Sequence, residues 1–248
     1  MSEIVRAVSS ELVKLKRTLA LRLAIAAPLL IVLLQSGVYV ARGAEIAHNT
    51  ANPIVGFARI IMTLWTLVFL PFYATLAASL LASLDHRNHH WDQIFALPIR
   101  RSSVYAAKWI TAVGLVVLSS TALPIFTLLA AELMKLVRHE WVGAPLPVSL
   151  LLNGVARSCA AALLLVSLQF WISIRWQSFM VSLAIGIAGI MSGIILISAP
   201  MKFLSFYPWT APAAAASPTQ PLLALVWGTT SGLFLGMIAC WRLARREF

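Results

Sequence analysis

Acidic residues are scarce in this chain: 8 Asp and Glu stand against 19 Lys and Arg in 248 residues, and none lies inside a long apolar run. Transporters driven by protons work through membrane-embedded carboxylates, so their absence argues against that class. Cysteine is rarer still, with two residues. Cys159 and Cys240 fall in apolar runs near opposite membrane faces, too far apart for the ~7 Å Cα limit of a disulfide, and read as small buried side chains. Catalytic motifs are missing as well. The chain has no GxxxxGK[ST] phosphate-binding loop, so it does not bind ATP in the usual way itself. His139-Glu140 lacks the second histidine of a zinc-protease helix, and Ser231-Gly232 lacks the GxSxG surround of a nucleophile. An intramembrane enzyme is therefore disfavoured. Charged residues make up 11% of the chain and hydrophobic ones 60%, and runs of about 20 apolar residues identify an all-α integral membrane protein.

Six spans account for nearly all of residues 1–248 as one membrane domain, leaving no room for a soluble catalytic domain: about 19–40, 60–83, 104–131, 150–174, 178–199 and 222–241. Before them, residues 3–18 carry Ile4, Val8, Leu12, Leu15 and Leu19 at helical spacing, with Arg6, Lys14, Lys16 and Arg17 mostly off that stripe. This predicts an amphipathic helix on the anionic inner leaflet and an uncleaved anchor, since the basic region and the apolar run are too long for a signal peptide. The stretch 41–59 reads as a polar loop with an Asn52-Pro53 turn signal, and Glu132–Glu140 as a short separate polar helix. Residues 200–221 hold five prolines with Phe203, Phe206, Tyr207 and Trp209. That is too apolar for a solvated loop and too proline-rich for one helix, and predicts a re-entrant or interfacial element.

The longest basic interruption is DHRNHHWDQIFALPIRRSSVYAAKW, residues 85–109. Trp91, Ile94, Phe95 and Pro98 fall at i, i+3, i+4 and i+7, so three large apolar groups share one face of a short helix. Pro98 ends it and disfavours helical geometry at Leu97; Arg100 and Arg101 follow. A short helix with an apolar knob fits a groove on a cytosolic partner, and a helix lying on lipid headgroups matches the periodicity equally well. His86, His89 and His90 with Asp85 and Asp92 offer metal-ligand types at i, i+4 spacing; solvated loop histidines are the more ordinary reading, and no metal is expected. The basic residues cluster at span ends and form no continuous patch, which fits membrane topology and excludes nucleic acid. Most of them fall on the side of the N-terminus, the 85–108 loop, Arg175 and the C-terminus, which places both termini in the cytosol.

Arg157 is the one charge well inside an apolar run, either snorkelling at the outer interface or lining a substrate path; Gln169 is an uncharged residue with the same two readings. Gly228, Gly232 and Gly236 recur every four residues, and Gly189 and Gly193 share that spacing. Such faces let a neighbouring backbone approach closely, within the chain or between subunits.

The chain resembles the permease subunits of ABC-2 type exporters, and within them the lantibiotic/bacitracin-protection permeases. The likeness rests on SSELVKLKRT (Ser9 to Thr18), on Asp85 (where the family often has Glu), Trp91 and LPIRR (Leu97 to Arg101) ahead of AAKW (Ala106 to Trp109), on six spans with both termini inside, and on FYPWTAP (Phe206 to Pro212) before the last span. The resemblance implies a permease in the bacterial cytoplasmic membrane, paired with an identical or homologous second permease and with two cytosolic ATPase subunits that bind the ATP and magnesium. It makes Trp91 to Leu97 a coupling helix, with Ile94, Phe95 and Pro98 in it, Asp85 ahead of it, and Arg100 and Arg101 beside the ATPase or lipid phosphates. The cargo it implies is a peptide, antibiotic or other amphiphile. A membrane scaffold or sensor that binds partners without moving substrate is the alternative.

Overall fold

The computed structural model describes residues 3–16, 18–43, 52–87, 101–176, 178–198, 200–218 and 221–244. Among them every regular element is a helix: α1 (Glu3–Leu15), α2 (Leu19–Ala41), α3 (Pro53–Leu64), α4 (Leu70–Arg87), α5 (Arg101–Val137), α6 (Val148–Arg175), α7 (Phe179–Ile195), α8 (Met201–Phe206), α9 (Ala211–Ala216) and α10 (Pro221–Ala244), with a π-helical turn at Trp65–Phe69 and short 3-10 turns at His139–Trp141 and Leu196–Ser198. Six segments are long and apolar enough to cross a membrane: Leu19–Ala41, Pro53–Ser83, Ser102–Val137, Val148–Arg175, Phe179–Ser198 and Pro221–Arg242. The chain is an all-α integral membrane protein.

Two stretches differ from the sequence reading. Residues 53–59, expected in a polar loop, are helical. The Asn52 side chain accepts from the backbone N–H groups of Ile54 and Val55 at 3.1 and 3.2 Å, and Pro53 takes the first helical position, where its missing amide costs nothing. The polar segment from Glu132 does not form its own helix but extends α5 to Val137. No proline or glycine interrupts it between Pro124 and Val137, and Lys135 pairs with Glu132 one turn back at 3.0 Å. At about 1.5 Å per residue, the 36-residue segment exceeds the ~30 Å apolar core of a bilayer. Its far end is held by Arg138, which donates to the Val40 carbonyl at the C-terminus of α2 at 2.7 Å, the position where a cation answers the helix dipole. Tyr39 and Phe57 (ring centroids 5.1 Å apart) and Trp141 close this end of the bundle.

The π turn precedes Pro71, whose ring would clash with the carbonyl four residues back in a regular helix. The Leu70 amide reaches the Trp65 carbonyl five residues back, widening the turn so that α3 and α4 continue as one span.

The core is built around α6, which packs against α10, α9, α4 and α5. Small residues set those contacts. A Cβ at Gly228 would lie 2.6 Å from the Ala161 carbonyl oxygen, and one at Gly232 would sit 2.5 Å from the Leu163 carbonyl carbon, so α10 touches α6 backbone to backbone. Gly236 faces the Trp109 ring. On α7, Gly186 faces Thr75, Gly189 the Trp209 indole and Gly193 Thr210. Each of these close approaches is within the chain. Residues 200–218 form the α8–α9 pair, turned at Tyr207–Thr210: Ala211, Pro212, Ala214 and Ala215 are buried, whereas Phe203 and Phe206 remain exposed.

Candidate functional site

The interruption between the second and third spans is the first place to look. Trp91, Ile94, Phe95, Leu97, Pro98 and Arg100, together with His89, His90 and Asp92, lie outside the described residues. Asp85 and His86 fall in the last turn of α4 and Arg101 opens α5, with their side chains also outside the description. Among the described residues no group of three His, Cys, Asp or Glu could hold a metal.

The flank of that segment is well defined, and α5 carries two anchors about 11 Å of helix rise beyond Arg101. Lys108 is buried and donates to the Glu11 carboxylate at 3.0 Å. Glu11, on α1, is itself buried and also accepts from Lys14 at 2.9 Å. One residue on, the Trp109 indole N–H donates to the Ser167 hydroxyl at 2.9 Å, which in turn donates to the Gly232 carbonyl at 2.7 Å. The two adjacent side chains therefore bind α5 to α1 on one side and to α6 and α10 on the other. Both lie in the AAKW string, yet their partners are 97 and 58 residues away, a pairing local spacing cannot reveal. The available signal is Glu11 itself, an acid set one turn before Lys14 in a helix whose other acid, Glu3, lies at its start.

Burial pushes the Glu11 carboxyl up, but Lys108 and Lys14 together outweigh it and hold the group below its ordinary 4.5. A carboxyl with a depressed folded pKa adds stability that is complete above its unfolded value and disappears as pH falls through the folded one. Thermal unfolding of the detergent-solubilised chain is expected to show stability lost as pH falls below about 4.5, with a smaller loss in Glu11→Gln; equal acid sensitivity in the two proteins would contradict the assignment.

Gln169 lies deep in α6 and is fully buried. Its amide N–H donates to the Ser182 carbonyl at 2.8 Å and hydroxyl at 3.1 Å. Ser182 also meets Ser79 at 2.9 Å and Ser173 at 2.6 Å. This polar knot joins α4, α6 and α7, and Gln169 does not reach the cavity described next. Sequence reasoning passed over the three serines, because small hydroxyl residues in a span resemble ordinary packing positions.

Arg157 does line a cavity, of about 720 Å³, at the end of the bundle opposite α1. Its walls come from α3 and the π turn (Arg59, Met62, Thr63, Thr66, Leu67), from the start of α6 (Ser149, Leu150, Asn153, Arg157) and from the α8–α9 pair (Leu204, Ala213). Arg59, which the sequence reading assigned to a loop, joins Arg157 because the helix begins at Pro53.

Comparison with known families matches the description ABC-2 family transporter protein over residues 7–193, which takes in most of α1, the 88–100 segment and five of the six spans apart from the last residues of the fifth. Comparison with curated proteins and with solved structures gives no match. A match over three quarters of the chain, on a bundle of six apolar helices, has one consequence: this protein belongs to the ABC-2 transporter family, as a membrane permease component of an ABC transporter that works with an ABC ATPase.

Proposed function

We propose that the chain is the permease subunit of an ATP-driven exporter in the bacterial cytoplasmic membrane, with both termini in the cytosol. It moves a peptide, antibiotic or other amphiphilic substrate, in the manner of the lantibiotic and bacitracin-protection permeases it resembles. The family match carries this reading. The lack of a phosphate-binding loop in the sequence supports assigning ATP and magnesium to a partner chain. Two ATPase subunits dock on the 85–103 loop of a pair of permeases, identical or homologous. Residues 91–97 act as the coupling helix: Trp91, Ile94 and Phe95 form the knob, Leu97 and Pro98 end it, and Asp85, Arg100 and Arg101 flank it with charge.

The anchors on α5 give the loop something to move. A push on residues 85–100 enters α5 at Arg101, and Lys108 and Trp109 pass it at once to α1 and to the α6–α10 pair. With α1 lying on the inner leaflet, the exposed side chains of Ile4, Val5, Leu12 and Val13 meet lipid.

The reading makes a direct prediction. Trp91→Ala and Phe95→Ala are each expected to abolish substrate-stimulated ATP hydrolysis by the reconstituted complex while the permease still reaches the membrane at normal level. Normal stimulation in both variants would remove the coupling role.

A further inference from the structure

The cavity beside Arg157 has a chemistry that packing does not explain. Arg59 lies about 9 Å and Arg157 about 14 Å of helix rise beyond the starts of their spans at Pro53 and Val148. Arg59, exposed, and Arg157, half-buried, line one cavity from separate helices, and among the described residues neither has an acidic partner. Snorkelling accounts for one arginine near a span end. It does not account for two like charges lining one largely apolar cavity, where each raises the cost of the other.

The neighbouring polar groups have the same sense. The hydroxyls of Thr63, Thr66 and Thr210 donate their protons to the carbonyls of Arg59, Met62 and Leu204. The other donor-bearing residues that line the cavity are Arg59, Arg157, Asn153, Ser149 and Ser217. Ser149 and Leu150 belong to the first turn of α6, which no side chain caps, so the positive end of a 28-residue helix adds to the field. Among the described residues no Asp or Glu lines the cavity. The remaining wall is apolar, with Met62, Leu67, Ile197, Leu204 and Ala213. The volume suits a ligand of drug or lipid-fragment size and is far larger than one small anion.

We infer that this cavity is a binding site for an anionic amphiphile, with a phosphate or carboxylate head on Arg59 and Arg157 and an alkyl portion along the Met62–Leu204 wall. Guanidinium forks match the oxygens of either head group, and the α8–α9 pair supplies the cover over the tail. The inference deepens the exporter reading by naming the charge class and the place of its ligand, and it rests on that reading only for what happens to the ligand after binding.

The test is binding of dodecyl phosphate to the full chain in dodecyl maltoside, compared with dodecyl phosphocholine and inorganic phosphate, without any ATPase present. Dodecyl phosphate is expected to bind saturably, at least tenfold tighter than the other two, and tenfold or more weaker in Arg59→Gln and in Arg157→Gln. Ala213→Phe, which fills the tail region and leaves both arginines, is expected to weaken it as well. Equal binding of dodecyl phosphocholine, or unchanged binding in the double arginine variant, would overturn the anionic head. Competition by inorganic phosphate at equal concentration would make this a free-anion site and overturn the amphiphile. The head-group comparison uses the unaltered chain, so it decides even where a variant fails to fold. It leaves ATPase association untouched, so failure here and failure of the exporter reading are separate results.

Discussion

Glu11→Ala is expected to lower the stability of the chain by about 3 kcal/mol, at the lower end of what breaking a buried ion pair costs. The size follows from what is left behind. The Lys108 side chain is only 3% exposed, so removing the Glu11 carboxylate takes a counter-charge from an ammonium that cannot reach bulk water. Lys14 belongs to a different class: its side chain is 36% exposed, and its share of the interaction is of the order of 0.5 kcal/mol. Lys14→Ala is accordingly expected to be nearly silent. The cost belongs to the buried ammonium that loses this carboxylate more than to the lost attraction, so the double replacement Glu11→Gln with Lys108→Met is expected to recover much of the stability lost in Glu11→Ala. Unfolding in detergent measures these proteins together with the single variants Glu11→Gln and Lys108→Met. Additive losses of the two singles in the double variant would show that the two groups act independently.

Gly232→Ala carries the second large effect. The new methyl would meet the backbone of Leu163 and Leu164, atoms that cannot turn aside as a side-chain tip can. α10 must then move off α6, breaking the Ser167–Gly232 hydrogen bond of 2.7 Å and loosening the Trp109–Ser167 contact behind it. Overpacking of this kind costs about 1–3 kcal/mol, or roughly 5 °C of melting temperature for a chain this long. Gly37 and Gly114 are the internal controls, since a methyl at either meets nothing within 4 Å. Gly37→Ala and Gly114→Ala are expected to leave the melting temperature unchanged or to raise it, because alanine is the better helix former. A Gly232→Ala protein as stable as Gly37→Ala would contradict the backbone contact between α6 and α10.

These two predictions mark where sequence reading succeeds and where it stops. Apolar runs reveal the spans because length and hydropathy are local properties, and the spacing of Gly228, Gly232 and Gly236 shows a face capable of close approach. Which neighbour approaches is not local. The partners of those glycines are Ala161, Leu163, Leu164 and Trp109, some 70 to 130 residues away along the chain. Gly186 falls outside the four-residue rhythm and was passed over, although it packs on Thr75 as tightly as its neighbours pack. Glu11 and Lys108 each stand in a recognisable motif, yet only the fold of α1 against α5 brings them together. The cavity is the least local feature, because it needs three parts of the chain and a helix that starts at Pro53. Reading Asn52-Pro53 as a turn hid Arg59, when the same dipeptide is equally the N-cap and first residue of a helix. The coupling residues Trp91 to Arg100 show the reverse situation, prominent in the sequence and outside the described structure.

The central claim is that this chain is the membrane half of an ATP-driven machine. The most direct measurement is extraction of the tagged protein from its native membrane in mild detergent, with mass spectrometry of the proteins that accompany it. The account predicts co-purification of an ATPase that carries a GxxxxGK[ST] phosphate-binding loop, and its loss when residues 91–97 are replaced. Recovery of the chain alone, or with a soluble protein lacking that loop, repeated under crosslinking, would contradict the exporter and favour a scaffold or sensor.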